Sequence, residues 1–95
     1  MESNENDALQ RIADGLASER LTISRLDDGS GVVLDVQQEQ LLSMNAAGLF
    51  IVQTIADGVT DEIGIAQLLV ERFAVSAERA RNDVQDFVQT LSTTL

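Results

Sequence analysis

The sequence predicts an α+β domain in which three short antiparallel strands precede three helices. Between residues 21 and 44 apolar and β-branched residues recur in short runs separated by turn-forming or polar residues. From Asn45 onward the apolar period becomes helical and stays so. Asn45, Thr60 and Ser76, each able to accept the first free amides of a helix, divide that half into three.

The chain starts before this pattern. Residues 1–6, Met-Glu-Ser-Asn-Glu-Asn, read as a polar, frayed beginning. Asn6 suits an N-cap for an optional helix with Leu9, Ile12, Ala13 and Leu16 as a narrow apolar stripe, weakened by Gly15. An amphipathic helix usually buries its stripe at home, so this one reads as a loosely packed appendage ahead of a docking element for a partner. Residues 1–19 are therefore an N-terminal extension and residues 20–95 the domain body, and deleting the extension is expected to leave the body folded.

Leu21-Thr22-Ile23-Ser24-Arg25-Leu26 alternates like a strand. Asp27-Asp28-Gly29-Ser30-Gly31 is a turn cluster, and Val32-Val33-Leu34-Asp35-Val36 returns as the second strand of a hairpin. Gln37-Gln38-Glu39-Gln40 is a weaker turn, lacking Gly, Asn and Asp. Leu41 to Met44 is then the third strand, and short connections place it beside the second, at the end of the sheet. Alternation puts Gln40, Leu42 and Met44 on one face, with Leu42 and Met44 assigned to the core, and Leu41 and Ser43 on the other. An apolar edge strand without Pro or Lys is a liability unless something pairs with it.

In the first helix after the strands, Gly48, Ile51, Val52 and Ile55 share a side with Leu49 and Ala56 beside them, and Asp57-Gly58 ends it. Thr60 caps the second, with Ile63, Ala66, Leu69, Val70 and Phe73 as its apolar face. Ser76 caps the third, where Ala80, Val84, Phe87, Val88 and Leu91 line one side. Three amphipathic helices can cover one face of a three-stranded sheet. The last two, separated only by the break at Ala74-Val75, have helix-turn-helix proportions, which gives the fold a winged-helix character.

Composition narrows function by exclusion. Ninety-five residues make one small domain. The chain has no Cys and no His, which removes thiol and imidazole chemistry, disulfides and the usual zinc ligands. Asp57-Gly58-Val59-Thr60-Asp61 is no calcium loop, because Val59 offers no side-chain oxygen. Asp28-Gly29-Ser30-Gly31 has neither the spacing nor the Lys of a phosphate loop. No catalytic residue, cofactor or metal site is expected, so the chain reads as a non-enzyme. No apolar run is long enough for a membrane span and no secretory signal is visible, which suits a cytoplasmic protein. A net charge of −10 repels phosphate backbones and anionic membranes. Arg79, Arg81 and Asn82 could read bases from a recognition helix, yet Glu78, Asp83 and Asp86 stand among them, so nucleic acid is not expected as a partner.

The stretches "LTISRLDDGSGVVLDV", "LLSMNAAGLFIV", "DGVTDEI" and "FAVSAERARNDVQDFVQTL" resemble the PqqD-like family, the founding group of the RiPP recognition elements, which serve ribosomally made, post-translationally modified peptides. Matching pieces are Leu34-Asp35, Met44-Asn45, Asp57-Gly58-x-Thr60, Phe73-x-Val75 and Ala80-x-x-Asp83-Val84, and together they cover roughly residues 20–95. Glu39 stands in a turn where the family usually has Gly, and Leu41 where it has an aromatic residue.

The resemblance implies three antiparallel strands followed by three helices and a non-catalytic peptide chaperone. Such a domain binds the leader of a precursor peptide by strand addition and presents it to a modifying enzyme, often a radical-SAM protein. It implies Leu41, Leu42, Ser43 and Met44 as the docking edge. It implies the last helix from Ala77 onward as the groove wall, with Ala77, Arg81, Gln85 and Val88 as its contacts and Arg81 meeting an acidic leader residue. A winged-helix regulator of DNA or of a protein partner is the alternative. Monomer and homodimer both stay open.

Overall fold

The computed structural model describes residues 5–94. Seven elements follow one another: α1 (Glu5–Ala17), β1 (Leu21–Arg25), β2 (Gly31–Asp35), β3 (Gln40–Met44), α2 (Ala46–Ala56), α3 (Glu62–Phe73) and α4 (Ala77–Thr94). The fold is α+β, with an antiparallel sheet in the order β1-β2-β3. The expected strands and helices are present, and the optional N-terminal helix exists.

The hairpin turn follows from its residues. Asp28 accepts hydrogen bonds from the hydroxyl and the amide of Ser30, and Gly29 takes φ +92°, a backbone state that costs glycine little. Those two bonds hold the Asp28 carboxyl below its ordinary value of 3.8. One face of the sheet packs on the helices through Leu21, Val33 and Met44. The other turns Thr22, Ser24, Leu34, Leu41 and Ser43 to solvent.

α2 packs against α1, α3 and the strands β2 and β3. Asn45 caps it by accepting the Gly48 amide at 2.9 Å, and Leu49, Ile51, Val52 and Ile55 are all buried. α3 departs from expectation in phase. Asp61 rather than Thr60 is its N-cap, accepting the Gly64 amide at 2.8 Å. The buried face is Ile65, Ala66 and Leu69, whereas Ile63 is 59% exposed. Ile63 lies two residues from Ile65, about half a turn round the helix, so both cannot face the core. Ala74 adopts φ +56° and closes α3 through its amide to the Val70 carbonyl, and Ser76 then caps α4 by accepting the Arg79 amide at 3.1 Å. The Phe50 and Phe73 rings meet edge to face at 5.7 Å and tie α2 to α3.

α1 corrects the reading of a loose appendage. Leu9 and Ile12 belong to the same core cluster as Leu21, Val84 and Leu91. Gly15 is there for close approach: a Cβ on it would fall 2.8 Å from Leu21 Cδ1. Arg11 also donates a hydrogen bond to the Ser92 hydroxyl of α4. The helix begins at Glu5, so Asn6 lies within it and is not its cap. Of the frayed start expected at residues 1–6, Glu5 and Asn6 are helical instead, and residues 1–4 lie outside the described residues. Among the described residues no helix is long and apolar enough to cross a membrane.

Candidate functional site

β3 pairs with β2 on one side only, and the ladder decides what its other side offers. The Leu26 amide bonds to the Ser30 carbonyl and the Val36 amide to the Arg20 carbonyl. Alternation along an antiparallel ladder then points the main-chain groups of Val32 and Leu34 toward β1, and those of Gly31, Val33 and Asp35 toward β3. Their partners Met44, Leu42 and Gln40 spend their main-chain groups on β2. The N–H and C=O groups of Leu41 and Ser43 therefore point outward along the open edge.

The turn that launches this edge is held by a buried carboxylate at the end of β2. Asp35, fully buried at the end of β2, accepts the Gln37 and Gln38 amides on Oδ1 at 3.0 and 3.1 Å. That supplies the turn chemistry that Gln-Gln-Glu-Gln lacks. Glu39 then takes φ +58°, the left-handed state that glycine adopts most readily, at the position where the resembling family usually has Gly.

Beside the open edge lies a groove of about 390 Å³ between β3, the start of α2 and one side of α4. Leu42, Met44, Gly48, Ile51 and Phe87 supply apolar lining. Gly48 is needed for this packing, because a Cβ there would come within 2.8 Å of the Phe87 ring. Arg79, Asp83, Asp86 and Thr90 form the polar wall. Their spacing of i, i+4, i+7, i+11 makes a single line along α4. Arg79 and Asp83 are an exposed ion pair at 3.7 Å. The α4 surface continues past the groove through Gln89, Thr90 and Thr93.

Of the residues expected at the site, Leu42, Ser43 and Met44 line the groove, and Leu41 stands beside them on the solvent face of the sheet. Ala77, Arg81, Gln85 and Val88 do not line it. Ala77, Arg81 and Val88 share a line about half a turn from Arg79, and Val88 is buried in the core. The apolar stripe of α4 has two polar flanks, and which one meets β3 is set by how the helix crosses the sheet. One side chain carried a signal: Phe87, the large apolar residue at the rim of the stripe, marks the groove flank. Among the described residues no cluster of three or more carboxylates is arranged to hold a metal ion.

The pattern of a family described as coenzyme PQQ synthesis protein D (PqqD) matches residues 30–94. Among solved structures, one described as lasso peptide synthetase B1 complexed with the leader peptide superposes with a TM-score of 0.66 at 24% identity, over 78% of this chain and 85% of that chain. That likeness is one of fold. No curated protein matches the chain.

Proposed function

The chain belongs to the PqqD family, and from that premise we propose that it is a non-catalytic peptide-binding domain which docks the leader of a ribosomally made precursor peptide on β3. The leader adds as a fourth strand and is presented to a modifying enzyme, which by resemblance is of the radical-SAM kind. One observation carries this reading: an unguarded edge with the outward amides of Leu41 and Ser43 stands beside a half-apolar groove. Main-chain bonds to such an edge give affinity, and side chains in the groove give specificity. The solved lasso peptide synthetase B1, described as complexed with the leader peptide, shares the fold and supports a leader peptide as the ligand.

In this reading the docking surface lies within residues 20–95, and α1 serves the core that holds the sheet in place. The protein acts in the cytoplasm, where precursor peptides are made. The alternative of a DNA-binding winged helix finds little support on α4, where Arg79 is paired with Asp83 and Asp86 stands next along the same line. The test is a titration of the labelled protein with the leader of a precursor peptide encoded beside its gene. Amide shifts in residues 41–44 and along the Arg79–Thr90 line of α4 support the proposal. Their absence at saturating leader overturns it.

A further inference from the structure

We propose that the groove selects leaders by charge, and that Asp86 is the residue which demands a Lys or Arg at one fixed groove-facing position of the docked strand. The inference rests on the docking reading above and adds the chemical class of peptide. Three observations lead to it. Among the polar wall residues Arg79 and Asp83 neutralise each other at 3.7 Å, whereas Asp86 has no ion-pair partner among the described residues. The floor below them is apolar, through Met44, Gly48, Ile51 and Phe87, so a bound peptide displaces water around Asp86 and strengthens its interactions. The chain as a whole carries −10, which draws cationic segments toward it and repels acidic ones.

Geometry limits the demand to one position. Groove-facing residues of an extended peptide recur every ~6.6 Å. Along α4 the step from Arg79 to Asp83 is ~6 Å and from Asp83 to Asp86 ~4.5 Å. A strand running beside this line therefore sets one groove-facing residue against the uncompensated Asp86, and the next one toward Arg79, ~6.6 Å on, falls between Asp83 and Arg79. The favoured ligand has apolar groove-facing residues over Phe87 and Gly48 and a single cation at Asp86. An acidic residue at that position would meet the like charge of Asp86.

The experiment is display selection of a random twelve-residue peptide library on the full chain, on its Asp86→Arg variant and on Ser43→Pro, which removes an edge amide. Expected are wild-type binders with Lys or Arg enriched at one register position, and Asp86→Arg binders with Asp or Glu there. The best wild-type peptide should lose about tenfold in affinity on Asp86→Arg. Binders that are lost on Ser43→Pro but show no charge preference, or that tolerate Asp86→Arg, overturn the charge rule and leave strand docking standing. If selection gives no binders, or only binders that survive Ser43→Pro, strand docking itself falls, and the charge rule with it.

Discussion

The two edges of the sheet are treated differently. β1 starts under α1, with Leu21 buried against Gly15, and ends at Arg25, whose guanidinium reaches Gln53 on α2. β3 has the sequence Gln40-Leu41-Leu42-Ser43-Met44, with no charge, no proline and no helix laid along its outer side. One edge strand is anchored at its start by a helix and carries a cation at its end, a device that proteins use against stray pairing, and the other is uncharged and lies beside a groove. The uncharged apolar edge beside the groove is the surface that the proposed strand docking uses. The N-terminal helix packs into the core at the opposite side of the sheet from the proposed docking strand.

The largest expected effect tests the closed side. Deleting residues 1–19 removes the buried Leu9 and Ile12 and uncovers Leu21 and Leu91. Each lost side chain of this kind costs ~2–5 kcal/mol. A domain this small does not hold that reserve, so urea denaturation should show a strongly lowered midpoint or no cooperative transition. A truncated chain with unchanged stability would return α1 to the status of an appendage.

The next effect separates the two sides of β3 itself. Leu42→Pro removes an amide that bonds to β2 and should cost about 1–3 kcal/mol of stability. Ser43→Pro removes an outward amide, so the thermal midpoint should barely move while leader affinity falls at least about tenfold. Equal destabilisation by both would show that the outward assignment of the Ser43 amide is wrong.

A smaller effect compares the flanks of α4. Arg79→Glu sets three negative charges along the groove line, whereas Arg81→Glu changes a side chain about half a turn away. Calorimetric titration with the leader should show a severalfold change in affinity for the first and less than about twofold for the second, which is the usual scale for exposed charges. The smallest effect concerns the hairpin turn. The Asp28 carboxyl is held below 3.8 by Ser30, so its folded pKa is below its unfolded value. The stabilisation is fully present above the unfolded value and is lost as pH falls through the folded one, below about pH 4. An NMR titration of Ser30→Ala should return Asp28 toward its ordinary value, with no change at neutral pH in the behaviour of β3.

Much of this was legible in the sequence, and what was missed has physical causes. Strand order, the Asn45 and Ser76 caps and the inward phase of Leu42 and Met44 follow from local chemistry, which one chain displays. α1 was undervalued because Gly15 reads locally as a weak helix position, while its purpose is contact with Leu21, a residue on another element. Ile63 reads as core because its i, i+3 spacing to Ala66 fits as well as the phase through Ile65, and only packing against the other elements decides between them. The third strand is legible in the sequence, whereas the helix wall facing it reads as the Arg81 flank and lies on the Arg79 side. Periodicity finds the buried stripe of a helix, and it does not say which side of the stripe meets the sheet.

α4 has 18 residues and β3 has five, so the helix runs ~27 Å beside a strand of ~17 Å. In the proposed strand docking this surface is therefore a ruler with two scales. A five-residue segment saturates the hydrogen-bonding edge, and every residue beyond it gains only side-chain contact with the tail of α4 at Gln89 and Thr93. Peptides shortened one residue at a time should lose affinity gently until the pentapeptide is reached and steeply below it. A modifying enzyme that must reach a fixed distance past the leader would then take its zero mark from the last paired residue on β3.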